Sequence, residues 1–178
     1  MKKPILLTII IAGFILIGCG NSNSQSKLKD MSEIEKLTKE QFAEETAAIH
    51  IHTMREMENL LDKYTKIDAD FEKDMDKLYS SSVKQMIQYG KVLAKKDEET
   101  RDDYLLESSM AAMSAMEKIE PEATDFENKF DNRLPELQAY GSEKIGQMFK
   151  HLFGIMDFMD FERIKEDYPE TAKEFGIE

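Results

Sequence analysis

Residues 42–93 read FAEETAAIHIHTMREMENLLDKYTKIDADFEKDMDKLYSSSVKQMIQYGKVL. Working outward from this stretch, no glycine occurs between Gly20 and Gly90, and no proline between Pro4 and Pro121. A run so poor in breakers and so rich in Glu, Lys, Met, Leu and Ala is helical by propensity. At about 100° per residue, Phe42, Ile49, Leu60, Tyr64, Ile67, Phe71, Met75, Leu78, Tyr89 and Leu93 fall in one stripe. Ile49, Leu60, Phe71 and Leu93 lie on an eleven-residue lattice that misses only at Ser82, and Ile67, Leu78 and Tyr89 lie on a second. Such a repeat suits a straight or slightly right-handed helix. The phase therefore predicts one continuous helix over residues 32–96. The alternative is a turn at Thr65 to Asp70, where Thr65, Asp68 and Asp70 could each cap a new helix.

Further segments follow the same logic. The charged Lys95 to Asp103 stretch ends the first unit, and a helix is expected from about Arg101 to Ile119, stopped by Pro121. Within it Ala111, Ala112 and Ala115 permit a close approach to a neighbour. Phe126, Phe130, Leu134 and Leu137 continue the helical spacing, with Pro135 marking a kink or restart. Gly141 precedes a last strong helix over residues 142–160, and Pro169 opens a short terminal turn. No segment alternates apolar and polar residues as a half-buried strand would. The expected fold class is all-α: an elongated helical hairpin or irregular helical bundle with one long N-terminal helix.

The first residues are of another kind. Lys2 and Lys3 precede an uncharged apolar run from Ile5 to Ile17, and residues 16–19 read Leu-Ile-Gly-Cys, with Cys19 the only cysteine. The run is short for a membrane-spanning helix and has the layout of a secretory signal. The tetrapeptide resembles the lipobox of bacterial lipoproteins. That resemblance implies cleavage before Cys19 and a lipid anchor on its sulfur, with palmitate-type acyl chains holding the protein to a membrane of the cell envelope. In a cell with two membranes it implies the outer membrane, facing the periplasm or the cell surface, because Gly20 is not the aspartate that favours inner-membrane retention. In a cell with one membrane it implies the outer leaflet. The expected organisation is a signal peptide at 1–18, the lipidated cysteine and a flexible tether at 19–30, and a helical domain at 31–178. The Asn- and Ser-rich tether, Gly20 to Lys27, reaches at most about 28 Å at about 3.5 Å per extended residue.

Charge narrows the partners. Lys and Arg total 24 against 36 Asp and Glu, a formal net charge of −12. Loss of Lys2 and Lys3 with the signal leaves 22 against 36, or −14. A surface this acidic is unsuited to nucleic acid and to anionic headgroups, so membrane association falls to the acyl chains. With its one thiol acylated the domain has no disulfide, and packing alone must hold it.

Candidate chemistry is sparse. His50 and His52 lie about 200° apart on a helix and cannot share an ion. His50, Met54 and Met57, at i, i+4 and i+7, share a side, and imidazole with thioethers would suit Cu(I). Methionines recur at Met110, Met113 and Met116 and at Met156 and Met159, where core filling is the plainer account. The Glu-x-x-His pairs of carboxylate-bridged di-iron bundles are absent, as are the common nucleophile, zinc-protease and phosphate-loop motifs. The acids at Asp97 to Glu99 and Asp102 to Asp103 lack the glycine and spacing of a calcium loop. No enzymatic activity and no cofactor are expected.

In the last helix Ile145, Met148, Phe149, Leu152, Met156 and Met159 form the core stripe. Phe158 and Phe161 then project to the opposite side, beside His151 and Gly154, as a candidate partner-binding patch. The expected role is a non-enzymatic binding or scaffolding lipoprotein with an envelope protein as partner. Two alternatives are a periplasmic soft-metal (copper) binder using His50, Met54 and Met57, and an inhibitor or immunity lipoprotein acting on a basic toxin or envelope enzyme.

Overall fold

The computed structural model describes residues 29–177. Cys19, the leader and most of the tether lie outside the described residues. Among those described there are eight α-helices and no strand. They are α1 (Met31–Ile34), α2 (Lys39–Lys63), α3 (Ala69–Leu93), α4 (Glu98–Lys118), α5 (Glu120–Tyr140), α6 (Glu143–Phe153), α7 (Phe161–Asp167) and α8 (Pro169–Glu174), with a 3-10 turn at Ile155–Met159 between α6 and α7. The all-α class and the irregular bundle are as the sequence predicts. No helix among the described residues is long and apolar enough to cross a membrane.

The continuous helix over 32–96 is corrected. The chain leaves helical geometry at Tyr64 and α3 starts afresh, with the Asp68 carboxylate accepting from the backbone N–H groups of Asp70 and Phe71. α5 stabilises the break. Arg133 Nη1 donates to the carbonyls of Leu61 and Tyr64, each at 2.8 Å, and Glu136 accepts from the Ile67 N–H, also at 2.8 Å, while pairing with Arg133. These contacts satisfy carbonyls and an N–H that a helix break would otherwise strand. At the start of the described residues Asp30 caps α1 and Lys29 pairs with Glu45 on α2.

α2 and α3 form an antiparallel hairpin. Its register is marked by Lys63 with Asp74, Thr53 with Ser82 and Glu45 with Tyr89. α4 begins beside the start of α2, and α4 and then α5 run parallel to it, as Lys39–Asp103 on α4 and Arg55–Glu122 on α5 show. Ile119 alone separates α4 from α5. Pro121 falls in the first turn of α5, where a missing N–H costs nothing, so it starts a helix where it was expected to stop one. α5 carries on along α2 through Lys129, which bridges Glu58 and Asp62. Pro135 sits inside α5, exposed together with Asp131, whose carbonyl it frees toward water.

Gly141 adopts a φ of 71° and turns the chain back. α6 then runs antiparallel to α5, with Phe130 against Phe149 at 5.0 Å and Phe126 against Phe153 at 5.7 Å. Beyond Gly154 the expected helix to residue 160 gives way to the 3-10 turn, which lies along α3. Short α7 and α8 pack against each other, and α7 also packs on the 3-10 turn.

Candidate interaction surface

The C-terminal patch expected from Phe158, Phe161 and His151 is corrected. Phe158 is 0% exposed and stacks on Tyr168 with centroids 6.0 Å apart. His151 is buried, its Nδ1 lies 3.2 Å from the Tyr79 hydroxyl, and its ring meets Phe158 and Tyr168 edge-on. Phe161 is half-buried against the core. The physical reason is the break at Gly154. A 3-10 turn advances about 120° per residue, so an α-helical projection carried past residue 154 misplaces Phe158, although Met156 and Met159 still reach the core.

The copper reading meets a similar obstacle. Met54 and Met57 belong to the hydrophobic core, which commits their thioethers to packing. His50 is half-buried on α2, and its Nδ1 has no hydrogen-bond partner among the described residues. Among these residues no three His, Cys, Asp or Glu side chains gather as a metal set.

Burial pushes the pKa of both His50 and His151 below 6.5, with Lys150 adding to the effect at His151. It also pushes the neighbouring Tyr79 hydroxyl up to about 12. The folded state thus prefers neutral imidazoles. Their contribution is whole above the unfolded pKa of about 6.5 and is lost as the pH falls through that value toward the folded one. Carboxylates with lowered pKa, Asp74 above all through Lys63, Lys77 and Tyr64, contribute stability that is lost only as the pH falls below their ordinary values, 3.8 for Asp and 4.5 for Glu40. The melting temperature should therefore fall between about pH 7 and pH 5, and His151→Gln should flatten that slope. A variant with the parental slope would show that His151 stays neutral or is not linked to folding.

The surface that stands out is on α4. Its N-cap is Asp97, which accepts from the Thr100 N–H at 3.0 Å, and Glu98 and Glu99 in the first turn complement the helix dipole. α4 packs chiefly on α2. Tyr104 anchors the contact, edge-on to Phe42 with centroids 5.1 Å apart. The register set there and at Lys39–Asp103 brings Ser108 and Ala112 level with Ala43 and Ala47 of α2. All four are buried, so small residues let the two backbones close up. Ser108 is 0% exposed, and its Oγ has no partner among the described residues.

Tyr104, Leu105 and Met116 pack against the core, but three other large apolar residues of α4 point the other way. Leu106, Met110 and Met113 are 61%, 59% and 66% exposed. At i, i+4 and i+7 they make one stripe, roughly opposite Ser108 and Ala112. Acids bound it: Glu99, Asp102 and Asp103 toward the N-terminus and Glu117 toward the C-terminus, all exposed. Single exposed apolar residues are ordinary, but three in register on the outer face of one helix form a continuous apolar stripe.

Sequence reasoning named Met110 and Met113 only as core filler and passed over Leu106. The signal was available: if Ala111, Ala112 and Ala115 mark the near face, residues 106, 110 and 113 must lie on the far one. Comparison with family models, with curated proteins and with solved structures found no match.

Proposed function

We propose that this chain is a lipid-anchored, non-enzymatic binding module of the bacterial cell envelope, and that the outer face of α4 is where it binds. The observation that carries the reading is the apolar outer stripe of α4, where Leu106, Met110 and Met113 face outward while Ser108 and Ala112 are buried. Water contact with such a stripe is unfavourable by about 25 cal/mol per Å² of apolar surface, a gain that a partner recovers on covering it. Anchoring by Cys19 would hold the module at a membrane and leave α4 free to meet another envelope component. The tether sequence fits this arrangement.

Two variants test the two halves of the reading. Cys19→Ser should move the protein out of the membrane fraction or leave it unprocessed, and the acyl mass should vanish from its N-terminal peptide. A serine variant that partitions like the parent would remove the lipid anchor from the account. Leu106→Ser with Met110→Ser and Met113→Ser should keep the parental melting temperature within a few degrees while losing proteins that co-purify with the parent. Unchanged co-purification would place binding elsewhere.

A further inference from the structure

We propose that the occupant of the α4 face is a basic amphipathic helix of another protein, an inference that rests on the docking role just given and specifies its chemistry. α4 carries six acidic residues against two basic ones, Arg101 and Lys118. Asp103 and the half-buried Glu107 already engage Lys39 of α2, whereas no ion pair to a basic side chain on another helix is formed by Glu99, Asp102 or Glu117 among the described residues. The stripe from Leu106 to Met113 spans about 10 Å at about 1.5 Å per residue, and the acids from Glu99 to Glu117 bracket about 27 Å. An apolar centre two turns long with acidic ends matches a helix that has apolar residues at i, i+4 and i+7 and Lys or Arg at both ends.

Charge decides against the other occupants. A second copy docked antiparallel with Met110 on Met110 would set Asp103 against Glu117 at both ends of the contact, between chains of net charge −12. Like charges juxtaposed across a contact disfavour it. An anionic bilayer is repelled by the same acids. Methionine suits a helix-binding face, because its flexible thioether adapts to the partner's side chains.

The test uses the full chain in lipid nanodiscs and a labelled synthetic peptide of about 18 residues, with leucines at i, i+4 and i+7 and Lys or Arg at both ends. Two control peptides replace the basic residues by Glu or the leucines by Ser. Fluorescence anisotropy should show the basic amphipathic peptide binding at least about tenfold more tightly than either control, with affinity falling as salt rises. The Leu106→Ser, Met110→Ser, Met113→Ser variant, whose charge is unaltered, should lose about tenfold; the unchanged charge separates stripe docking from general attraction to an acidic protein.

Equal binding by parent and variant would overturn the proposal. So would a parental dimer that becomes monomeric in the variant, which assigns the face to a second copy. Quenching of a fluorophore at Met113→Cys by brominated lipid would assign it to the bilayer and overturn the proposal as well. A co-purifying protein that depends on the stripe but binds through no basic helix would sink this inference and leave the docking role standing. Loss of no partner at all from the triple variant would sink both.

Discussion

Phe158→Ala is expected to destabilise the domain by about 3–5 kcal/mol, the range for deleting a fully buried aromatic ring. Phe158 has no exposed surface and sits between His151 and Tyr168, while Tyr168 links it to the approach of α8. Removing the ring opens a cavity where the 3-10 turn, α6 and the C-terminal helices meet. For a domain of this size each kcal/mol moves the melting temperature by about 2–4 °C, so the loss should be plain in a thermal scan. Leu106→Ala provides the contrast. At 61% exposure its change should stay within about 0.5 kcal/mol of the parent. A near-neutral Phe158→Ala would return that ring to the surface and undo the assignment of the two faces.

Gly90→Ala should also destabilise, by about 1–3 kcal/mol, against the direction of helix propensity. Intrinsically, alanine is favoured over glycine in a helix interior by about 1 kcal/mol. Here a Cβ on Gly90 would come within 2.5 Å of Phe161 Cε1, 3.0 Å of the Met159 carbonyl oxygen and 3.1 Å of Met159 Cα. The Phe161 ring can swing aside, but Met159 presents backbone. The missing side chain is what lets the 3-10 turn lie against α3. Denaturant unfolding reads the effect, and a stabilised Gly90→Ala would show that the two segments do not approach so closely.

These two positions illustrate what the sequence disclosed and what it withheld. The helical class was legible because propensity and the 3.6-residue period agree from Phe42 to Leu93. The break after Tyr64 stood only as the alternative, because α2 and α3 each bury a stripe in the same core and the intervening turn happens to preserve the phase. Phase alone therefore says nothing of continuity. Asp68 did advertise a cap, but Arg133 and Glu136, the residues that satisfy the broken backbone, come from about seventy positions away and no local pattern names them. Phe158 failed for a different reason. Gly154 changes the helix type, and Phe158, projected past it as if the α-helix continued, was assigned to the wrong face, whereas Met156 and Met159 do reach the core. The stripe on α4 was within reach of projection, since Ala111 and Ala112 had already marked the inner face. Leu106, Met110 and Met113 went unread because methionines at i, i+3 ordinarily fill a core.

The chain's twelve methionines allow the central claim to be tested in one measurement. Peroxide oxidation of each methionine should be followed by peptide mass spectrometry, in the purified protein and in intact cells. In the purified protein Met110 and Met113, the most exposed of the core-forming types on α4, should oxidise well before the buried Met54, Met57, Met75, Met86 and Met148. In cells the two should become slow while the half-buried Met31 and Met156, away from α4, keep their rate, as the proposed partner would cover the face. Slow oxidation of Met110 and Met113 in the purified protein, or equally fast oxidation in both settings, would contradict a free α4 face that is occupied in the envelope.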